Sequence, residues 1–224
     1  MKKIIIALDG PAGSGKTTTA KIVADHLGYL YIDTGAMYRA VTLAWIRRNR
    51  AYNDADVIEM LGSLNIELKQ SELGQRTILN GEDVSDAIRL PEVTKLVSPV
   101  SAIAEVREKL VATQREIGKM GGVVMDGRDI GTAVFPNAEL KIFLIASIEA
   151  RAERRTKELI QKGLIADVEV VKKEIADRDH YDSTRTHSPL CKASDAIEID
   201  TSMMTLQQQA EKIITLAQSI INND

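Results

Sequence analysis

Short apolar runs alternate along the chain with stretches whose apolar residues recur at helical spacing. The runs predict five buried strands, at residues 4–8, 29–33, 121–125, 140–145 and 196–199. The other stretches predict helices at residues 17–27 and 35–48, and a last helix from Leu206. Strands separated by helices predict an α/β fold: a five-stranded parallel sheet flanked by helices. Ligands bind to such sheets beyond the carboxyl ends of the strands.

One region departs from this alternation. Residues 64–84 alternate with a period of two and contain the dipeptide Asn80–Gly81, which is a strong signal for a tight hairpin. We therefore expect a small antiparallel β insert at residues 62–88, within a single domain that covers residues 1–224.

Composition narrows the class of protein. The 224 residues are 44% apolar and carry a net charge of −3, which suits a globular domain and gives no basic surface for nucleic acid. A lone cysteine, Cys191, favours a reducing compartment. No apolar run approaches the ~20 residues of a membrane helix, and the first run stops at Asp9, too early for a signal peptide. We expect a cytoplasmic monomer without membrane or nucleic-acid partners.

A glycine-rich stretch, GPAGSGKTT, follows the first predicted strand and opens the first predicted helix. It satisfies the pattern G-x-x-x-x-G-K-[ST], in which backbone amides cradle the phosphates of a nucleoside triphosphate. Lys16 can reach the outer phosphates, and the Thr17 hydroxyl can ligate Mg²⁺. The predicted ATP-binding residues are Gly10, Pro11, Ala12, Gly13, Ser14, Gly15, Lys16, Thr17 and Thr18.

This motif leaves the fate of the phosphate open. A GTPase switch reads guanine through N-K-x-D, and no Lys-x-Asp occurs in the chain. A transport or motor ATPase would be expected to carry a further domain. A small-molecule kinase is therefore favoured, and a regulator that binds nucleotide without transferring phosphate stays as the alternative.

Three polar clusters lie at or after predicted strand ends. In DTGAMYR, Thr34 could cap a helix whose free amides and Arg39 would bind an anion, although a plain cap beside a solvated arginine fits equally. DGRDIGTAVFP places Arg128 and Asp129 after a buried strand, where the alternative is a polar loop with a local salt bridge.

The third cluster, DRDHYDSTR, spaces Arg178, Asp182 and Arg185 on one helix face, which on its own would usually be solvated. Upstream, RAERR precedes a stretch at residues 156–167 that resembles a mobile segment. Arginines that flank such a segment could close over a triphosphate, so residues 152–168 are predicted to form a lid.

Taken together, these motifs resemble the bacterial cytidylate kinase branch of the nucleoside monophosphate kinase family. IALDGPAGSGKTT, DTGAMYRA, DGRDIGTAVFP, KIFLIAS and the DRD…D..R segment occur in that family's order, and the resemblance covers essentially the whole chain from Ile4. It implies transfer of the γ-phosphate of ATP, with Mg²⁺, to CMP or dCMP.

The resemblance also implies roles for individual residues. Thr34, Arg39, Arg128 and Arg185 would hold the acceptor phosphate, with Tyr38 beside them, while Ser98, Arg107 and Asp129 would read cytosine. Arg178 and Asp182 would address the ribose and nearby phosphates. The lid residues Arg151 and Arg155 would stabilise charge on the triphosphate, so that Lys16, Arg128, Arg155 and Arg185 form the implied catalytic set. Some relatives carry serine at the position of Thr34, and threonine provides the same hydroxyl group.

The chemistry of the base supports a cytosine acceptor. Cytosine carries an amino donor where uracil carries a carbonyl, so an ionised Asp129 would accept from the first and repel the second. Other P-loop kinases, acting on UMP, shikimate or a similar small acceptor, remain alternatives.

Overall fold

The computed structural model describes residues 2–72, 74–161 and 163–223. The chain divides into two compact units: the first comprises Met1–Tyr31 and Met120–Asp224, and the second comprises Ile32–Lys119. The predicted insert at residues 62–88 lies inside the second unit. The single domain over residues 1–224 stays a prediction.

A five-stranded sheet organises the fold. Its strands are β1 (Ile5–Asp9), β2 (Leu30–Asp33), β6 (Val123–Gly127), β7 (Leu140–Ile145) and β8 (Ile197–Asp200), in the order β2-β6-β1-β7-β8. β1 pairs in parallel with β6 and β7, and β7 with β8, which confirms the predicted parallel sheet. The register sets Asp9, at the end of β1, opposite Gly127, at the end of β6.

Four helices lie in the described part of the first unit. They are α1 (Lys16–Leu27), α6 (Ile148–Gln161), α7 (Val168–Thr184) and α8 (Leu206–Asn222). The unit's main core joins residues of β1, β7 and β8 with α1 and α8, and it includes Ile6, Leu144 and Ile213, all fully buried. The predicted stripe on the last helix therefore packs inward, which leaves the strand ends as the polar edge of this unit.

The second unit has its own core and its own small sheet. Its helices are α2 (Thr34–Ile46), α3 (Asp54–Leu61), α4 (Pro91–Ala102) and α5 (Ala104–Gly118), with a short 3-10 turn at Ala87–Arg89. Strands β3 (Ile66–Ser71), β4 (Gly74–Leu79) and β5 (Glu82–Asp83) form the antiparallel sheet that the period-two pattern predicts. Asn80 and Gly81 turn the chain between β4 and β5 with φ values of 50° and 88°. These positive angles explain the Asn-Gly pair.

The predicted lid is more regular than its sequence suggests. Within residues 152–168, helix α6 continues to Gln161, so much of the stretch expected to be mobile is helical. Residues 163–167 carry no regular helix or strand, and Ile165 is fully exposed. Closure of this segment over a ligand stays a prediction. Within the described residues, no helix is long and apolar enough to cross a membrane.

Candidate active site

The phosphate loop connects β1 to α1, as the motif predicts. Gly10 adopts a φ of +147°, and a Cβ atom there would lie 2.2 Å from the carbonyl oxygen of Leu144. Gly13 has a φ of +75°, and its Cβ would approach that of Arg151 to 3.2 Å. The backbone can therefore take this course only with glycine at these two positions. Thr17 and Thr18 lie in the first turn of α1 and are exposed.

Lys16 is folded into the loop rather than extended into solvent. Its Nζ donates to the carbonyl oxygen of Pro11 at 2.5 Å and to the Ser14 hydroxyl at 3.2 Å. Burial, together with the nearby charge of Arg128, lowers the pKa of Lys16 well below its ordinary value. A phosphate group would supply the counter-charge that this buried ammonium favours.

Thr17 and Asp126 offer two oxygen ligands that suit Mg²⁺. The Thr17 hydroxyl donates to Asp126 Oδ2 at 2.7 Å, and the Tyr31 hydroxyl donates to Asp126 Oδ1 at 3.0 Å. One hydroxyl and one carboxylate fit Mg²⁺, which usually keeps several waters and takes substrate phosphates as further ligands. No cluster of three His, Cys, Asp or Glu residues occurs in the described part of the chain, so a metal cage made by protein alone is not offered.

Asp126 was quoted with its motif but given no role from the sequence. The signal that could have identified it is its position: it lies within β6, directly before the loop that carries Arg128 and Asp129. Its pairing with Thr17 joins residues 109 positions apart, which the sequence pattern does not reveal.

The Asp182 carboxylate lies close to two arginines, one from the loop after β6 and one from helix α7. Its Oδ2 lies 3.0 Å from Arg128 Nε and 3.9 Å from Arg178 Nε, and its side chain is 3% exposed. Burial alone would raise the pKa of Asp182, but Arg128, Arg178 and Arg185 outweigh burial and lower it. Burial and the neighbouring Arg128 lower the pKa of Arg178 to about 10. The interpretation of this helix face as solvated is therefore wrong.

Arg185 ends helix α7 and turns toward the loop after β6. Its Nη2 lies 3.8 Å from Asp129 Oδ1, and both side chains are almost completely buried. The guanidinium also donates to the carbonyl oxygen of Ser188, from Nε at 2.8 Å and from Nη2 at 2.6 Å. Because Arg185 has extended backbone angles, the chain leaves the helix at this residue.

Asp179 links helix α7 to the phosphate loop. Its Oδ1 accepts from the Ala12 amide at 3.2 Å, and its Oδ2 pairs with Arg151. Arg151 in turn donates to the carbonyl oxygen of Ala12 at 3.1 Å. The predicted lid arginine Arg151 thus lies against the phosphate loop. Arg155 lies instead on a part-exposed face of α6, paired with Glu158 at 3.0 Å, and its catalytic role stays a prediction.

In the second unit, the predicted anion site begins at the start of α2. Asp33, rather than Thr34, caps this helix, because the Asp33 carboxylate accepts from the Ala36 amide at 3.0 Å. Asp33 also pairs with Arg89. Thr34 is the first helical residue and is buried. Arg39, one turn further on, donates to the Thr94 hydroxyl at 2.8 Å.

The predicted base-reading residues Ser98 and Arg107 are both buried and lie on α4 and α5. The Arg107 guanidinium lies 5.5 Å from the centre of the Tyr38 ring and donates to the carbonyl oxygen of Ser101 at 3.2 Å. Ser101 donates to the carbonyl oxygen of Ser98 at 2.9 Å, so these contacts join Ser98, Arg107 and Tyr38 into one network. A buried guanidinium and hydroxyl in one network suit recognition of a polar ring.

A phosphate loop after the first strand of a five-stranded parallel sheet defines a P-loop nucleotide-binding protein, and arginines lie at the neighbouring strand ends. The fold is similar to that of an uncharacterised protein from Eubacterium ventriosum, with a TM-score of 0.50 and 15% identity over 97% of this chain and 99% of that one.

The cytidylate kinase family model matches residues 6–219. A cytidylate kinase from Listeria monocytogenes is 55% identical over 99% of both chains. One from a Geobacillus species is 54% identical over 95% of this chain and 96% of its own. The chain belongs to the cytidylate kinase family, and it is a phosphotransferase.

Proposed function

We propose that the protein transfers the γ-phosphate of ATP to CMP and dCMP, giving ADP with CDP or dCDP. Membership of the family supports nucleoside monophosphate phosphorylation with ATP, and the residues of the site support the choice of acceptor. The cytoplasmic location and the monomeric state stay predictions from the sequence.

The observation that carries the proposal is a second group of cations beside the phosphate loop. Arg128 and Arg178 lie close enough to Lys16 for their charges to lower its pKa. A protein that only bound a nucleotide would not need these two additional, partly buried arginines. A kinase needs them, because two anionic substrates must approach each other and the migrating group must be stabilised.

The residues of the site fall into two groups, one that holds ATP and one that holds the acceptor. The phosphate loop and Lys16 hold the β- and γ-phosphates, and Arg128 and Arg185 hold the acceptor phosphate in line. A bond forms between an acceptor phosphate oxygen and the γ-phosphorus, while the bond from that phosphorus to the β–γ bridging oxygen breaks. The acceptor phosphate is already anionic at neutral pH, so no protein base is required.

Thr17 and Asp126 would hold Mg²⁺, which would neutralise phosphate charge when bound. The arginines must exchange partners when the substrates bind. Arg128 pairs with Asp182, and Arg185 lies beside Asp129. Phosphate oxygens could take over these guanidinium groups, which would leave Asp182 for the ribose and Asp129 for the base. Thr34, Arg39, Ser98 and Arg107 belong to the second unit, and the roles that the family resemblance implies for them stay predictions.

The test of the activity is ATP consumption with and without an acceptor. We expect ADP formation that depends on CMP or dCMP, with UMP a poorer acceptor and shikimate inactive. Consumption that is unchanged by CMP would indicate a regulator or a different kinase, and the acceptor panel would distinguish between the two.

The test of base recognition is Asp129→Asn. An amide can donate to the uracil carbonyl, so the ratio of kcat/KM for CMP to that for UMP should fall by roughly 10-fold or more. The matched control is Asp25→Asn, the same change at an exposed position on α1. An unchanged ratio in Asp129→Asn would mean that another residue reads the base.

A further inference from the structure

Asp9 is a buried carboxylate directly before the phosphate loop, and the mechanism above does not use it. Asp9 is only 5% exposed to solvent. Oδ1 accepts from the Ile130 amide at 2.8 Å, and Oδ2 accepts from the Gly131 amide at 2.7 Å. A residue on the donor-binding strand therefore holds the backbone of the loop that follows β6.

The backbone that it holds is unusual. Ile130–Val134 form a π-helical turn, in which the Phe135 amide donates to the carbonyl oxygen of Ile130 at 2.7 Å. Such turns are rare and often occur at functional sites. The first amides of any helical turn have no acceptor within the turn. Asp9 supplies acceptors for two of them, immediately after Asp129.

Keeping a carboxylate at this position is costly. Burial raises the pKa of Asp9 to about 7, although both amide contacts lower it, and the charge of Asp129 raises it further. A brace needed only for stability could be built without a buried charge beside a second carboxylate. A Cβ atom added at Gly131 would lie 3.2 Å from the Lys141 side chain and, in ordinary van der Waals contact, 3.4 Å from Asp9 Oδ2.

We propose that Asp9 is a positioning residue for recognition of the acceptor base. Its carboxylate fixes the start of the π-helical turn, and this sets the direction in which Asp129 leaves β6. The strand that leads into the ATP-binding loop thus also carries a determinant of acceptor specificity. This inference rests on the proposed function, in which Asp129 reads cytosine.

The test is Asp9→Asn, which leaves one acceptor oxygen and places an amide donor opposite a backbone amide. The ratio of kcat/KM for CMP to that for UMP should fall by roughly 10-fold, since one charged hydrogen bond is lost. The KM for ATP should change by less than about 3-fold, because the phosphate loop itself is unaltered. Hydrogen exchange of the Ile130 and Gly131 amides, followed by NMR in the ligand-free protein, should become at least about 10-fold faster.

Gly131→Ala provides a second variant in case Asp9→Asn folds poorly. It keeps the carboxylate and adds a methyl group beside it, 3.4 Å from Asp9 Oδ2 and 3.2 Å from the Lys141 side chain, so it should lower the same ratio to a smaller extent. Asp25→Asn is the control for the substitution, and its ratio and amide exchange should match those of the wild type.

The outcomes separate the two proposals. A selective loss of base preference, with the KM for ATP retained, would support the positioning role. Equal losses for CMP and UMP, or a lower melting temperature alone, would reduce Asp9 to a structural brace and leave the proposed function intact. A wild-type protein that does not phosphorylate CMP would overturn the proposed function, and with it the inference that rests on it.

Discussion

Two loops leave the ends of neighbouring strands in the first unit, and they differ in how they meet a ligand. The phosphate loop after β1 presents mainly backbone, held in shape by glycines at residues such as Gly10 and Gly13. The loop after β6 presents side chains, Arg128 and Asp129, and each of them faces a partner from α7 or its end.

The difference separates general from particular recognition. Backbone amides bind phosphate whatever molecule carries it, so the phosphate loop defines a class of proteins. A carboxylate and a guanidinium distinguish one base or one anion from another, so the loop after β6 can define a substrate. Asp9 joins the two, because it belongs to the first strand and holds the backbone of the second loop.

The largest expected effect comes from the phosphate loop. Lys16→Ala removes the buried charge that we propose holds the β- and γ-phosphates, and kcat should fall on the order of 10³-fold with CMP and UMP alike. Steady-state kinetics with both acceptors measures this effect, and Lys212→Ala, at an exposed position on α8, serves as the control. A loss confined to one acceptor would show that this loop also discriminates between substrates.

A smaller effect is expected for the side chains that face the loop after β6. Arg185→Ala removes one buried charged contact and should lower turnover of CMP by roughly 10–100-fold. Binding of ATP, measured by calorimetry without acceptor, should stay within about 3-fold of the wild type. Arg50→Ala is the control, at an exposed position. Normal turnover in Arg185→Ala would contradict a role for this arginine in holding the acceptor.

The same contrast explains how much the sequence alone could predict. The strands, the phosphate loop and the Asn80–Gly81 hairpin follow from local patterns, and the structure confirms them. Helices α4 and α5 were not predicted, because a proline at residue 99 and the extended Ile103 between them interrupt the apolar spacing. The stretch at residues 156–167 is interrupted by Gly163 and was predicted to be mobile, yet helix α6 continues through it to Gln161.

The candidate site was predictable only in part. Lys16, Arg128 and Arg185 could be singled out from motifs, and the resemblance supplied their roles. The contributions of Asp9, Asp126 and Asp179 could not be, because each depends on a contact with a residue more than 100 positions away. Folding brings these residues together from different strands, helices and loops, and a single sequence does not show which of them meet.

The last prediction concerns stability rather than turnover, and it tests whether burial of the Asp9 carboxylate costs free energy in the folded protein. The pKa of Asp9 in the folded protein is about 7, against an ordinary value of 3.8. Burial and the charge of Asp129 raise this pKa, while the two amides and the charge of Lys16 lower it. Between these values the folded state retains a proton that the unfolded state has released. The free energy of unfolding should therefore fall as pH rises from about 4 to about 7, by at most about 1.4 kcal/mol per pH unit.

Asp9→Asn has no proton to release and should lack this component. Urea unfolding of both proteins across that pH range measures the difference, which should favour the wild type most at the acid end. Parallel curves would mean that Asp9 ionises as easily in the folded protein as in the unfolded chain. The hydrogen bonds from the two backbone amides would then fully offset the effect of burial on the pKa of Asp9. The contact between the two loops would in that case not lower the stability of the folded protein.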